Sequence, residues 1–77
     1  MTNWKQYIIS DQAILNGKPV IKNTRISVEL ILEKLAEGET TEQIMESHPG
    51  IDKESIMACL SFATDSLRNE LTYTIAS

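Results

Sequence analysis

Few side chains in this sequence can carry out covalent or metal chemistry, and their spacing keeps them apart. His48 is the only histidine and Cys59 the only cysteine. A nucleophile needs a base within hydrogen-bond reach, and a structural zinc needs four ligands. Neither a Cys-His couple nor a metal site is therefore expected. His48 reads as a helix-end cap and Cys59 as a buried structural thiol beside an apolar stripe. Gly17, Gly38 and Gly50 stand in separate turns and form no loop around a phosphate. The expectation is a protein that is not an enzyme and takes no cofactor.

What remains is recognition by charge. Residues 1–26 hold Lys5, Lys18, Lys22 and Arg25 against Asp11 alone, whereas residues 27–77 hold three basic residues against ten acidic ones. An acidic body repels phosphate, so any nucleic-acid contact must lean on the basic N-terminal segment. The planar fork of Arg25 suits a carboxylate or a phosphate. The plainer expectation is that Arg25 pairs with Glu29, one turn into the helix that follows. Glu29, Glu33, Glu37, Glu42 and Glu46 read as solvated surface, or else as an attraction for a basic partner. Trp4 and Tyr7 are either a core plug or an anchor for a second subunit.

The elements that must position these groups begin with Tyr7-Ile8-Ile9, a short strand before Ser10-Asp11. Asn16-Gly17 is a two-residue hairpin signal, with Ala13-Ile14-Leu15 and Pro19-Val20-Ile21 as its expected arms. From Ser27 the period becomes helical. Ser27 is the N-cap, Val28, Ile31, Leu32 and Leu35 share one face, and Gly38 supplies a left-handed stop. This predicts a first helix over about 28–37. Thr40 and Gln43 form a capping box for a short second helix, which ends near Ser47 ahead of Pro49-Gly50. Asp52 caps the third helix, and Ile51 and Ile56 form a hydrophobic staple across the cap. Ile56, Leu60, Ala63, Leu67 and Leu71 form its expected apolar stripe. A helix unbroken to the last residue would be roughly 35 Å long, so its far end must pack on another subunit, bend back or fray.

A helix of about ten residues, a short helix, a Pro-Gly turn and a capped third helix follow the order of a helix-turn-helix domain. The N-terminal residues of the third helix would then face DNA. Lys53 and Ser55 are its plausible donors, and Glu54 opposes phosphate. Tri-helical cores also occur with no nucleic-acid role.

The run GKPVIKNTRISVELILEKLAEGETTEQI, followed by HPGIDKESIMACLSFA, resembles the bacterial family catalogued as domain of unknown function 433. The likeness covers about residues 7–66, and the Gly-Lys-Pro and Thr-Arg-Ile steps carry it. Asn23 stands where the family commonly has Gly, His48 where Tyr is usual, and Cys59 and Phe62 at common Ala and Tyr positions. The resemblance implies a homeodomain-like fold with an N-terminal β element, dimerisation and an antitoxin role. The implied partner is a PIN-like nuclease encoded next door, and the implied second activity is repression of the pair's own promoter.

The fold expected is thus mainly α: a three-helix, homeodomain-like helix-turn-helix core behind a short N-terminal β-hairpin. One domain spans 1–77, with the hairpin arm at 1–26, the tri-helical core at 27–66 and a helical extension at 67–77. With 77 residues and one cysteine, a homodimer is the expected reinforcement, because a core this small leaves only about 3–5 kcal/mol of net stability. The opening MTNWKQYIIS is too short and polar for a signal peptide, no apolar run reaches membrane-spanning length, and the cytosol is the expected compartment. The expected function is to bind and neutralise a PIN-like toxin through Lys18, Lys22, Arg25, Lys53 and Ser55. The alternatives are a dimeric DNA-binding regulator without a toxin, and a dimerising module with no nucleic-acid role.

Overall fold

A computed structural model describes residues 3–70. It is mainly helical: a 3-10 turn at Trp4–Gln6, strand β1 (Ile8–Ile9), a second 3-10 turn at Leu15–Gly17, strand β2 (Val20–Ile21), then α1 (Val28–Ala36), α2 (Thr41–Ser47) and α3 (Lys53–Glu70). No helix among the described residues is long and apolar enough to cross a membrane.

The helix boundaries follow from local chemistry. The Ser27 hydroxyl accepts the Leu30 N–H at 3.0 Å and opens α1. Gly38, at φ +97°, closes it: the Gly38 N–H reaches the Leu35 carbonyl, the Glu39 N–H reaches the Lys34 carbonyl, and a Lys34–Glu39 ion pair lies over the stop. In α2, Thr40 Oγ1 accepts from the Gln43 N–H while Gln43 Oε1 accepts from the Thr40 N–H, so two otherwise orphaned donors are satisfied reciprocally. At α3, Asp52 Oδ1 accepts both the backbone N–H and the hydroxyl of Ser55.

The hairpin differs from its expected form. The antiparallel pairs are Ile8 with Ile21 and Ile9 with Val20. Ala13-Ile14-Leu15 form no strand. Leu15, Asn16 and Gly17 all take positive φ, and the chain winds there into a tight turn inside a longer loop. Burial decides the pairing: Ile8, Val20 and Ile21 are buried, whereas Leu15 is 41% exposed. Only the observed register puts Ile8 and Ile21 into the core. Beyond β2, Val20 bridges to Ser27, and the Val28 N–H donates to the Pro19 carbonyl, which stitches the hairpin to the first turn of α1.

The core gathers Ile8, Ile21, Val28, Ile31, Ile44, Ile51, Ile56, Ala58 and Cys59. The expected stripe on α3 is therefore rotated. Ile56 is buried, but Leu60 is 40% and Leu67 57% exposed, and the inward face runs instead through Ser55, Ile56, Ala58, Cys59 and Ser61. These small residues let α3 approach α1 and the hairpin closely. Leu71 and the rest of residues 71–77 of the expected extension lie outside the described residues. The second half of α3 is partly covered from within the chain as far as Asp65: Trp4 Nε1 donates to Asp65 Oδ2 at 2.6 Å, and its ring meets Phe62 edge to face at 4.8 Å between centroids, whereas Leu67 beyond them is exposed. Trp4 is a plug on α3.

Candidate interaction surface

Arg25 owes its position to the residues on either side of it. Asn23 takes φ +65°, the left-handed conformation that asparagine tolerates. The Thr24 hydroxyl then donates to the Ile21 carbonyl at 2.7 Å and accepts the Ile26 N–H at 3.0 Å. Ile26 packs on the core and its carbonyl accepts the Ile21 N–H. The turn is fixed from both ends, and Arg25 is left exposed on its outer side. Nothing but the Thr-Arg-Ile order signalled this in the sequence. The hydroxyl of Thr24 is the positioning group that spacing alone missed.

Arg25 does not pair with Glu29. Lys18 Nζ holds Glu29 Oε1 at 3.1 Å, with both side chains more than 60% exposed. Among the described residues Arg25 and Lys22 enter no ion pair. Lys22 lies on the edge of a cleft of about 410 Å³ between the Asn23-Thr24 turn and the start of α3, where Gly50, Asp52 and Ser55 form the far wall. The two halves meet closely enough that a Cβ added to Gly50 would sit 3.9 Å from Thr24 Cγ2.

The five expected contact residues are thus not one patch. Lys18 is tied to α1, and Lys22 and Arg25 share the turn. Lys53 is exposed at the first position of α3. Ser55 is buried, with its hydroxyl committed to Asp52, so it does not offer a donor at the surface beside Lys53. Those two bonds, the hydroxyl first and the backbone N–H second, hold the Asp52 carboxyl below the usual carboxylate range. Glu42 is also held low, by its own backbone N–H first and the Thr41 hydroxyl next, with Lys53 adding a smaller attraction. Lys53 therefore has an acidic neighbour that offsets part of its field. Burial pushes the Cys59 thiol up to about 12, which removes the thiolate needed for nucleophilic chemistry. His48 is the C-cap residue of α2, and its Nε2 is buried without a hydrogen-bond partner among the described residues.

The sequence pattern behind this turn is shared. The family model described as "Protein of unknown function (DUF433)" matches residues 8–63. The chain belongs to that family. It is also similar to uncharacterized protein y4eO of Sinorhizobium fredii (strain NBRC 101917 / NGR234), with 30% identity over 59 residues, 77% of this chain and 27% of y4eO. The chain thus spans about a quarter of that relative's length. No solved structure matches the chain. In this DUF433 chain the match begins at β1 and ends within α3, so it takes in the Arg25 turn and the cap of α3 together.

Proposed function

We propose that this DUF433 protein is an antitoxin-type, homeodomain-like helix-turn-helix protein that neutralises a PIN-like nuclease, with Arg25 as the group that enters the nuclease site. In this reading α2 and α3, joined through Pro49-Gly50, are the two helices of the helix-turn-helix unit. The observation that carries the reading is the exchange at Glu29: Lys18 occupies that carboxylate and leaves Arg25 exposed and without an ion-pair partner among the described residues. A PIN-type site is a cluster of carboxylates holding metal ions, and a guanidinium carried on a fixed turn neutralises such a cluster while bonding two oxygens at once. Lys22, on the same turn, adds a second positive charge. The homodimer belongs to the same reading, with Met57, Leu60 and Leu67 as the exposed apolar residues of α3 for it to cover.

Repression of the pair's own promoter has fewer surface groups to draw on. Ser55 is withdrawn from the surface, Lys53 faces Glu42, and the net charge is −4. Any operator contact then rests on Lys22, Arg25 and Lys53 in a dimer or in the complex.

The test is tagged purification from the native host with identification of what co-elutes, followed by titration of the isolated partner's nuclease activity. The reading expects a stoichiometric small nuclease whose inhibition weakens on Arg25→Ala by about 2–5 kcal/mol, the usual cost of truncating one member of a buried charge pair. Inhibition untouched by Arg25→Ala and Lys22→Ala would refute the site. A protein that elutes alone and shifts its own upstream DNA would replace the antitoxin reading with that of a free-standing regulator.

A further inference from the structure

A second surface uses neither Lys22 nor Arg25. An apolar groove of about 430 Å³ runs beside α1, lined by Pro19, Leu32, Ala36 and Phe62, with Lys18, Glu29 and Glu33 as its charged residues. Its volume lies within the roughly 300–1,000 Å³ typical of ligand sites. Two features point to a helix as the occupant. The α1 wall is nine residues long, about 13 Å, which matches two turns of a partner helix. Glu29 and Glu33 stand one turn apart on it, at the spacing with which two cations recur on a facing helix. Glu33 is exposed and has no ion-pair partner among the described residues, and Glu29 is held only by the exposed Lys18, a pair that exchanges readily.

We infer that this groove takes an amphipathic helix from a basic partner protein, with aliphatic anchors on Leu32, Ala36 and Phe62 and Lys or Arg side chains on Glu33 and, by displacing Lys18, on Glu29. The binding mode is a helix laid in a groove, read by anchors at i, i+3 or i+4, and i+7. Two carboxylates against the single ammonium of Lys18 set the sign of the partner, and the apolar lining supplies the contact area.

The probe is a fluorescein-labelled amphipathic helical peptide with leucine on one face and lysine on the other, compared with its glutamate-for-lysine counterpart, against the full chain. The lysine peptide should bind, and its affinity should fall at least about tenfold with Glu33→Lys and with Ala36→Trp, which fills the groove. Glu46→Lys, on α2, changes the net charge equally and should leave binding intact. Equal binding of both peptides, or indifference to Glu33→Lys and Ala36→Trp, overturns the inference. So does a chain that sediments as a dimer and is split by Ala36→Trp, because the groove would then be covered by a second copy.

Discussion

Replacing Trp4 by Phe tests one interaction that closes the fold. The indole N–H donates to Asp65 at 2.6 Å, and the ring packs edge to face on Phe62. Phenylalanine keeps an aromatic ring near Phe62 and loses the donor together with the second ring of the indole, so the double-mutant cycle with Asp65 is what isolates the bond. A hydrogen bond to a charged acceptor contributes about 1.5–3 kcal/mol, and the half-exposed position argues for the low end, so Trp4→Phe should cost about 1.5 kcal/mol. Trp4→Ala also gives up the aromatic pair, about 0.5–1.5 kcal/mol, together with apolar contact, for a total near 3 kcal/mol. Against a net stability of about 3–5 kcal/mol, the alanine variant should be barely folded at room temperature. Urea unfolding followed by circular dichroism measures both effects, since Trp4 is the only tryptophan and its fluorescence disappears with it. With a slope near 1 kcal/mol/M for a small chain, Trp4→Phe should lower the midpoint by about 1.5 M. The Asp65→Ala partner should complete a double-mutant cycle with coupling of about 1 kcal/mol or more. A midpoint for Trp4→Phe indistinguishable from the parent's, or additive losses in the cycle, would show that the indole–carboxylate bond does not hold the N-terminal segment on α3.

Two further outcomes can be checked on the same material. Cys59 is buried and its thiol is pushed up to about 12, so Ellman's reagent at pH 8 should label it only as the protein unfolds; rapid labelling without denaturant would contradict the packing of α3. Asp52→Ala should cost about 1 kcal/mol at neutral pH as a lost N-cap. Because the folded Asp52 carboxyl is held low, its contribution is present above the unfolded value near ~3.9 and fades as pH falls through the folded one. The variant and the parent should therefore converge in stability at strongly acid pH, and a gap that stays constant from pH 7 down to pH 2 would assign the loss to something other than the carboxylate.

What could be read from the residues in order was local. Ser27 and Gly38 bound α1, Thr40 and Gln43 start α2, and Asp52 starts α3, because each cap is a contact between groups three to five positions apart. The left-handed turn at Asn23 follows from asparagine's own backbone tolerance. The hairpin arms are not legible in the sequence, because turn propensity at Asn16-Gly17 says nothing about which strands bury their side chains. The inward face of α3 is hidden in the sequence because Ser55, Ala58, Cys59 and Ser61 mark it, small residues without the apolar bulk that makes a helical stripe visible. Lys18–Glu29 and Trp4–Asp65 span 11 and 61 positions and obey no periodicity. Ser55 is the instructive case in the site: it stands at the third helical position, where side chains turn back to the cap, and that signal ranked above its availability to a partner.

The Trp4–Asp65 contact also sets a timetable for the chain as it is made. Trp4 is made 61 positions ahead of its partner. At ~5–20 residues per second, roughly 3–12 s pass before Asp65 has been added. Through that interval the indole has no carboxylate to bind, and Phe62 is not yet there to cover its ring. Until Asp65 is made, the segment around Trp4 lacks the contact that later holds it on α3, and a partner that reaches it first meets no competitor from within the chain.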